Sequence, residues 1–168
     1  MSAGSVTAAS VVGVAVGLAL IACRSSDERV GPVVRFRSPA PVVLRPGATV
    51  QLALGFEIAK GHHIQANPAA QKNLVPASVE LAGPPAIEVG QPVYPPGHAF
   101  ELEGNDWDLS TYDGGLTITV PISATAGTTP GEHMIEGWFS YQACNRHSCL
   151  RPDRLAIAIT VQVPPARP

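Results

Sequence analysis

Charge, aromatic side chains and cysteine are all scarce in this chain, and each shortage narrows what the protein can be. Only 14% of residues are charged, and 11 Lys and Arg stand against 13 Asp and Glu for a formal net charge of −2. No basic surface for nucleic acid and no electrostatically held membrane face follows from such a balance. Aromatics make up 5% while hydrophobic residues reach 45%, so a core is affordable but must be mainly aliphatic. No segment of ten or more residues carries an i, i+3, i+4, i+7 apolar stripe, which removes long amphipathic helices. No internal repeat and no second domain is visible in the 168 residues, a length suited to one domain plus ends.

The longest apolar run, Val11 to Ala22, is short of the roughly 20 residues that span a bilayer and suits the core of a signal peptide. Cys23 follows at once, and Leu20-Ile21-Ala22-Cys23 resembles the bacterial lipoprotein box, whose cysteine is lipidated and becomes the mature N-terminus. No Lys or Arg precedes Arg24, a departure from the usual positive start of such signals. The expected organisation is a lipoprotein-type signal peptide over residues 1–22, a lipidated Cys23 with a polar tether over 23–32, and one domain over 33–168. The expected location is extracytoplasmic and membrane-anchored, where disulfides persist.

What the chain does have is turn chemistry: 17 prolines and 16 glycines. Arg45-Pro46-Gly47, Gly83-Pro84-Pro85, Tyr94-Pro95-Pro96-Gly97, Asp113-Gly114-Gly115 and Thr129-Pro130-Gly131 punctuate runs with a period of two. Val50, Leu52, Leu54, Phe56 and Ile58 alternate with smaller or polar residues, as do Leu116, Ile118, Val120 and Ile122, and again Leu155 to Val163. Weaker strands are expected at Val33–Phe36, Val79–Ala82 and Met134–Tyr141. Pro121 should demote the end of its strand to an edge or a bulge. About seven strands so punctuated predict an all-β, immunoglobulin-like β-sandwich.

Three cysteines are present. With Cys23 assigned to the anchor, Cys144 and Cys149 remain as an isolated Cys-x4-Cys pair at the end of a strand. Closing a loop of about six residues stabilises a fold by roughly 2 kcal/mol, which a domain of this size does not need. Spacing and compartment therefore leave a structural clip and a switchable dithiol both open. Arg146 and His147 inside the loop, and Arg151 and Arg154 after it, favour the thiolate and hence exchange chemistry. A soft metal site for zinc or copper(I) would need Cys144, His147 and Cys149 joined by His62, His63 or His133, and Cys-x4-Cys with one intervening histidine is not a standard zinc spacing. No metal and no organic cofactor is expected.

Gly61-His62-His63-Ile64-Gln65-Ala66-Asn67-Pro68, Asn73 to Ser78, Tyr94 to Gly97, Tyr112 to Gly115, Val120-Pro121-Ile122 and Tyr141-Gln142-Ala143-Cys144-Asn145 with Cys149-Leu150 occur in a telling order. Through them the chain resembles the N-terminal periplasmic domain of the thiol:disulfide interchange protein DsbD and its stand-alone relatives, over roughly residues 45–163. The resemblance implies a sandwich whose pair, here Cys144 and Cys149, cycles between dithiol and disulfide. Its donor would be a thioredoxin-like domain or a membrane electron-transfer protein, and its acceptors oxidised periplasmic thiol proteins, including cytochrome c maturation factors. The chain carries neither a multi-span membrane segment nor a thioredoxin-like Cys-x-x-Cys, so the donor is expected in trans.

By the same analogy Cys144 forms the mixed disulfide and Cys149 resolves it. A cap loop over His98 to Tyr112 is expected to shield the pair, with Phe100 or Trp107 at its tip. Its acidic residues Glu101, Glu103, Asp106 and Asp108 would face Arg146, Arg151 and Arg154. His62 and His63 are candidates to tune the thiols. The rival from another class is a binding or scaffold module with a static disulfide.

Overall fold

A computed structural model describes Met1 and residues 31–104 and 108–165. The expected signal peptide beyond Met1, Cys23, most of the expected tether, Asp106 and Trp107 lie outside the described residues. Twelve strands follow one another: β1 (Val34–Arg37), β2 (Val42–Val43), β3 (Thr49–Ile58), β4 (His63–Gln65), β5 (Ser78–Ala82), β6 (Ile87–Val89), β7 (His98–Glu101), β8 (Asp108–Tyr112), β9 (Gly115–Ala124), β10 (Gly131–Tyr141), β11 (Ala143–Cys144) and β12 (Asp153–Val163). They form three four-stranded sheets: two large ones, β1-β3-β9-β6 and β2-β12-β10-β5, and a third built of short strands, β11-β4-β8-β7. The two large sheets face each other across one core, the immunoglobulin-like sandwich that the alternation predicts. No helix long and apolar enough to cross a membrane occurs among the described residues.

Period-two alternation is what seals the sandwich. Leu52, Leu54, Phe56 and Ile58 of β3 and Leu116, Ile118, Val120 and Ile122 of β9 are all buried, as are Ile157, Ile159, Val161 and Val163 of β12. Phe139 stacks on Phe56 at 4.1 Å between ring centroids, and Tyr141 follows at 5.7 Å from Phe139. Aromatics are few, yet these sit together where the two sheets meet.

Pro121 behaves differently from expectation. It lies inside β9, which continues to Ala124 and is paired with β3 on one side and β6 on the other. The interruption falls on the neighbour instead: β6 ends at Val89, and pairing resumes only at the isolated Val93–Thr119 bridge. Gly90 fills the gap, donating its N–H to Pro121 O at 2.8 Å. A Cβ there would stand 2.6 Å from Pro121 Cγ, so the proline is accommodated by a residue with no side chain.

The third sheet grows from one end of the sandwich. Glu57 near the end of β3 pairs with Gly115 at the start of β9, and Tyr141 at the end of β10 pairs with Asp153 at the start of β12. Hence β4, which follows β3, β8, which precedes β9, and β11, which follows β10, all lie at that end. The stretch expected to be a cap loop is a hairpin: β7 and β8 pair from His98↔Thr111 to Glu101↔Asp108. Gly97 lets it start, because a Cβ there would meet Ser110 Oγ and come within 2.6 Å of Ala66 Cβ.

Candidate functional site

The cysteine loop is shaped by its own backbone before any tertiary contact. Leu150 N donates to Ala143 O at 2.7 Å and Asn145 N to Ser148 O at 2.9 Å, which closes a tight hairpin around residues 145–148. Asn145 Oδ1 accepts from the N–H groups of His147 and Ser148 at 2.9 and 2.8 Å, the local side-chain cap that asparagine supplies in turns. The two cysteines face each other across this hairpin and are joined in a disulfide, with 3.9 Å between their Cα atoms. Gln142 ties the hairpin down: its Nε2 donates to Leu150 O and its Oε1 accepts from Val75 N.

The two sulfurs stand in different surroundings. Cys144 is fully buried, at 0% exposure, in a small apolar cluster with Leu74, Leu102 and Leu109. Cys149 is only half-buried at the rim of that cluster, against which Ala69 and Phe100 also pack. Cys149 is thus the more exposed residue of the pair, whereas the resemblance implies that Cys144 takes the partner.

One side chain reaches the buried sulfur. Gln65, at the end of β4, is itself fully buried, and its Nε2 donates to Cys144 Sγ at 3.1 Å. Its backbone is fixed on both sides, with N–H donated to Gln142 O and C=O accepting from Ala77 N, each at 3.0 Å. Gln65 Oε1 is buried without a protein partner, which costs about 1–3 kcal/mol for a polar atom out of water. Gln65 was not among the residues singled out from sequence for the chemistry. The available signal was parity: His63 and Gln65 are two apart on one strand, and His63 is the register partner of Cys144.

The stretch expected to cap the pair packs against the cysteine cluster. Phe100 on β7 stacks against His63 at 3.9 Å between ring centroids and packs on the cysteine cluster, while Leu102 just beyond it is the cap residue buried against Cys144. Glu103 then latches the hairpin to the cysteine loop. Its N–H donates to Arg146 O at 2.9 Å, one carboxylate oxygen lies 3.4 Å from Arg146 Nε, and the other 3.0 Å from His147 Nδ1. Of the opposite charges expected to face each other across the cap, Glu103 and Arg146 meet, while Arg154 lies over Trp138 instead. Both ion pairs of Glu103 are exposed, so each is worth about 0–1 kcal/mol.

The candidates for tuning the thiols separate. His63 sits beside the pair, sandwiched between Phe100 and Asp113, whose Oδ2 is 3.6 Å from its Nδ1. His62 does not join it; it lines a hollow with Arg35, Glu57 and Lys60, and its buried Nδ1 has no protein partner. Arg146 and His147 both turn to Glu103. Arg154 lies 4.5 Å over the ring of Trp138, a half-exposed residue on the outer face of β10. His133 bonds Thr129 O near the start of β10, the far end of that strand from Cys144. No cluster of three or more His, Cys, Asp or Glu is placed to hold a metal among the described residues.

Tyrosines brace the site from below. Tyr112 OH donates to Pro95 O at 2.8 Å and accepts from Asn67 N, and Tyr94 OH accepts from Val79 N at 2.9 Å. Burial raises the Tyr94 phenol above its ordinary value. Tyr141 OH donates to Asp153 Oδ2 at 3.2 Å, and burial, reinforced by the Asp153 charge, pushes its phenol up to about 12. The segments Gly61–Pro68, Tyr94–Gly97 and Tyr112–Gly115 thus meet the cysteine block in one place.

Comparison with known proteins agrees with this geometry. No curated protein matches the sequence. Among solved structures, the N-terminal periplasmic domain of ScsB from Proteus mirabilis superposes with a TM-score of 0.51 at 13% identity, over 75% of this chain and 44% of that chain. That likeness concerns the fold, and this chain spans less than half the length of its counterpart. A further chain, AvmM, described as catalysing macrocyclization in alchivemycin A biosynthesis, aligns with a TM-score of 0.32 at 11% identity over 80% of this chain and 90% of that one, a level from which nothing is drawn. The family model for the N-terminal part of the thiol:disulfide interchange protein DsbD matches residues 34–160, nearly all of the described domain. This chain belongs to the family of the DsbD N-terminal domain.

Proposed function

We propose that this protein is a thiol:disulfide relay of the extracytoplasmic space, passing electrons through the Cys144–Cys149 pair to oxidised protein partners. The observation that carries the reading is the asymmetry of the disulfide. Cys149 stands half-buried beneath a cap latched by exposed contacts, and Cys144 stands fully buried behind it. A static clip needs no such lid.

The burial supports Cys149 as the sulfur that meets partners. A donor thiolate attacks Cys149 Sγ, the S–S bond breaks, and its electron pair goes to Cys144 Sγ. The donor's second thiol then attacks the mixed disulfide, leaving the pair reduced by two electrons and two protons. Delivery runs in reverse: the Cys149 thiolate attacks an acceptor disulfide, and Cys144 resolves the adduct. Donors of thioredoxin-like or membrane type, acceptors among periplasmic thiol proteins, and membrane attachment through a lipidated Cys23 complete the proposal.

The test uses the full chain with Cys23→Ser, so that one pair alone titrates against thiol/disulfide buffers. A potential of about −200 to −270 mV, the range of known exchange proteins, is expected. A value below about −300 mV would identify a structural clip and favour a docking module. Trapping assigns the roles: Cys144→Ser should retain a covalent adduct with a thioredoxin-fold protein, and Cys149→Ser should not.

A further inference from the structure

A thiolate expelled into an apolar pocket is unfavourable unless a donor meets it, because the charge loses its water. In the exchange proposed above, attack on Cys149 Sγ sends an electron pair to Cys144 Sγ, which is fully buried against Leu74, Leu102 and Leu109. On the return, the same sulfur must be a thiolate to attack Cys149 Sγ and release the partner's thiolate. Gln65 Nε2, 3.1 Å from Cys144 Sγ, provides the one hydrogen bond to either sulfur among the described residues. We infer that Gln65 is a catalytic residue of this exchange, a neutral N–H donor that stabilises the Cys144 thiolate both as leaving group and as resolving nucleophile. The inference rests on the exchange reading.

The placement suits that role better than a purely structural one. The backbone of Gln65 is fixed to Gln142 and Ala77, so its carboxamide is aimed at the sulfur by the sheet. The carboxamide completes no wider network, since Oε1 has no protein partner. An apolar side chain of similar volume would fill the same space without a buried unpaired acceptor. A neutral donor also fits a sulfur that is uncharged in the disulfide, where a buried cation would lack a partner. The titratable groups on the surrounding elements are His63 on β4, His98 and Glu101 on β7, Asp108 and Tyr112 on β8, Asp113 after it, Glu103 in the cap, and Arg146, His147 and Arg151 in and after the cysteine loop. Several of them contact one another: His63 lies near Asp113, and both Arg146 and His147 lie against Glu103.

The experiment takes the full chain with Cys23→Ser and Cys149→Ser, leaving Cys144 as the sole thiol, and follows its thiolate absorbance against pH. Gln65→Met, near in size and without an N–H, should raise the Cys144 pKa by about 1–2 units, the range for a hydrogen bond to a charged group. In the chain that keeps both cysteines of the pair, the same change should slow reduction of the disulfide by dithiothreitol about 3- to 10-fold, since a thiol of higher pKa leaves more slowly. A folded Gln65→Met protein with an unmoved Cys144 pKa overturns the inference. If that variant does not fold, the unaltered Gln65 side-chain amide is the probe. Its two N–H signals in a nitrogen–proton correlation spectrum should move with the Cys144 titration, and signals indifferent to it overturn the inference equally. Dithiothreitol needs no docking surface, so the two readings fail separately. A wild-type chain that exchanges with no thioredoxin-fold protein sinks the relay, while the thiolate titration alone decides Gln65.

Discussion

The sandwich and the small sheet at its end are held together in different ways. β3, β9, β10 and β12 are 10 or 11 residues long and pair in continuous ladders, with alternate side chains sealed in one shared core. The strands of the cysteine-bearing sheet run from two residues in β11 to five in β8, and their apolar cluster has four buried members. Stability belongs to the first region. The second is tied to that core through Ile64, Tyr112 and Ala143, but its outer part, the β7–β8 hairpin over the cysteines, is held by the small cluster and by exposed contacts of Glu103, the pattern of segments that open locally at low cost. The disulfide lies under that outer part.

The largest effect should come from breaking the first region. Phe139 has 0% exposure and stacks between Phe56 and Tyr141. Phe139→Ala should cost about 3–5 kcal/mol, as buried aromatic truncations do, read in urea unfolding of the whole chain. Reducing the disulfide should cost less, roughly 2 kcal/mol for so short a loop, and should leave one cooperative transition. If reduction cost as much as Phe139→Ala, the small sheet would be carrying the fold and the contrast would collapse.

Next in size is a pH effect at the seam between the regions, where Tyr141 ends β10 just before the cysteine block. Its phenol is pushed up to about 12 against an ordinary value of 10.0, by burial first and the Asp153 charge second. Between those values the unfolded chain releases the proton and the native one keeps it. The contribution is therefore complete below pH 10 and is lost as pH rises through about 12. A shift of this size corresponds to about 2–3 kcal/mol. Tyr141→Phe should flatten that alkaline slope while leaving thiol exchange near neutrality unchanged; an unaltered slope would place the alkaline sensitivity elsewhere.

The same contrast explains what could be read in advance. Leu52 to Ile58 and Leu155 to Val163 announce themselves because a half-buried strand must alternate, and ten residues repeat the signal several times. His63-Ile64-Gln65 repeats nothing. Three residues, two of them polar, look like a turn until the cysteines they face are in place. His98 to Tyr112 reads as loop for a similar reason, since Phe100 and Leu102 pack on a neighbouring segment and not on a sheet-wide core. The pair itself was legible as chemistry, and its surrounding blocks as family. Which cysteine is the more buried was not legible, because Cys144 owes its burial to Leu74 and to Leu102 and Leu109 of the β7–β8 hairpin, two segments remote from it in sequence. Pro121 marked a real discontinuity but not its owner: the break passed to β6 through Gly90, a residue 31 positions away with nothing in its own sequence to mark it.

A smaller effect should sharpen the second region. Phe100 contributes its stacking on His63 to the closed cap, and aromatic pairs of this kind are worth about 0.5–1.5 kcal/mol. Phe100→Ala should therefore raise the rate of disulfide reduction by a small dithiol about 2- to 10-fold with little change in global stability. An unchanged rate would show that the cap does not gate access to Cys149.

The smallest effect separates the two ways in which Glu103 holds that cap. Its N–H donates to Arg146 O, a bond that any residue but proline would keep. Its carboxylate bridges Arg146 and His147, whose side chains are each 74% exposed. Water and salt screen such pairs, so about 0–1 kcal/mol is at stake. Glu103→Gln removes the charge and spares the backbone bond, and should quicken reduction at low salt by at most about fivefold, with the difference fading toward 1 M salt. A larger, salt-independent gain would mean that the substitution had disturbed the packing of Leu102, and that apolar contact, more than charge, keeps the cap shut over the buried sulfur.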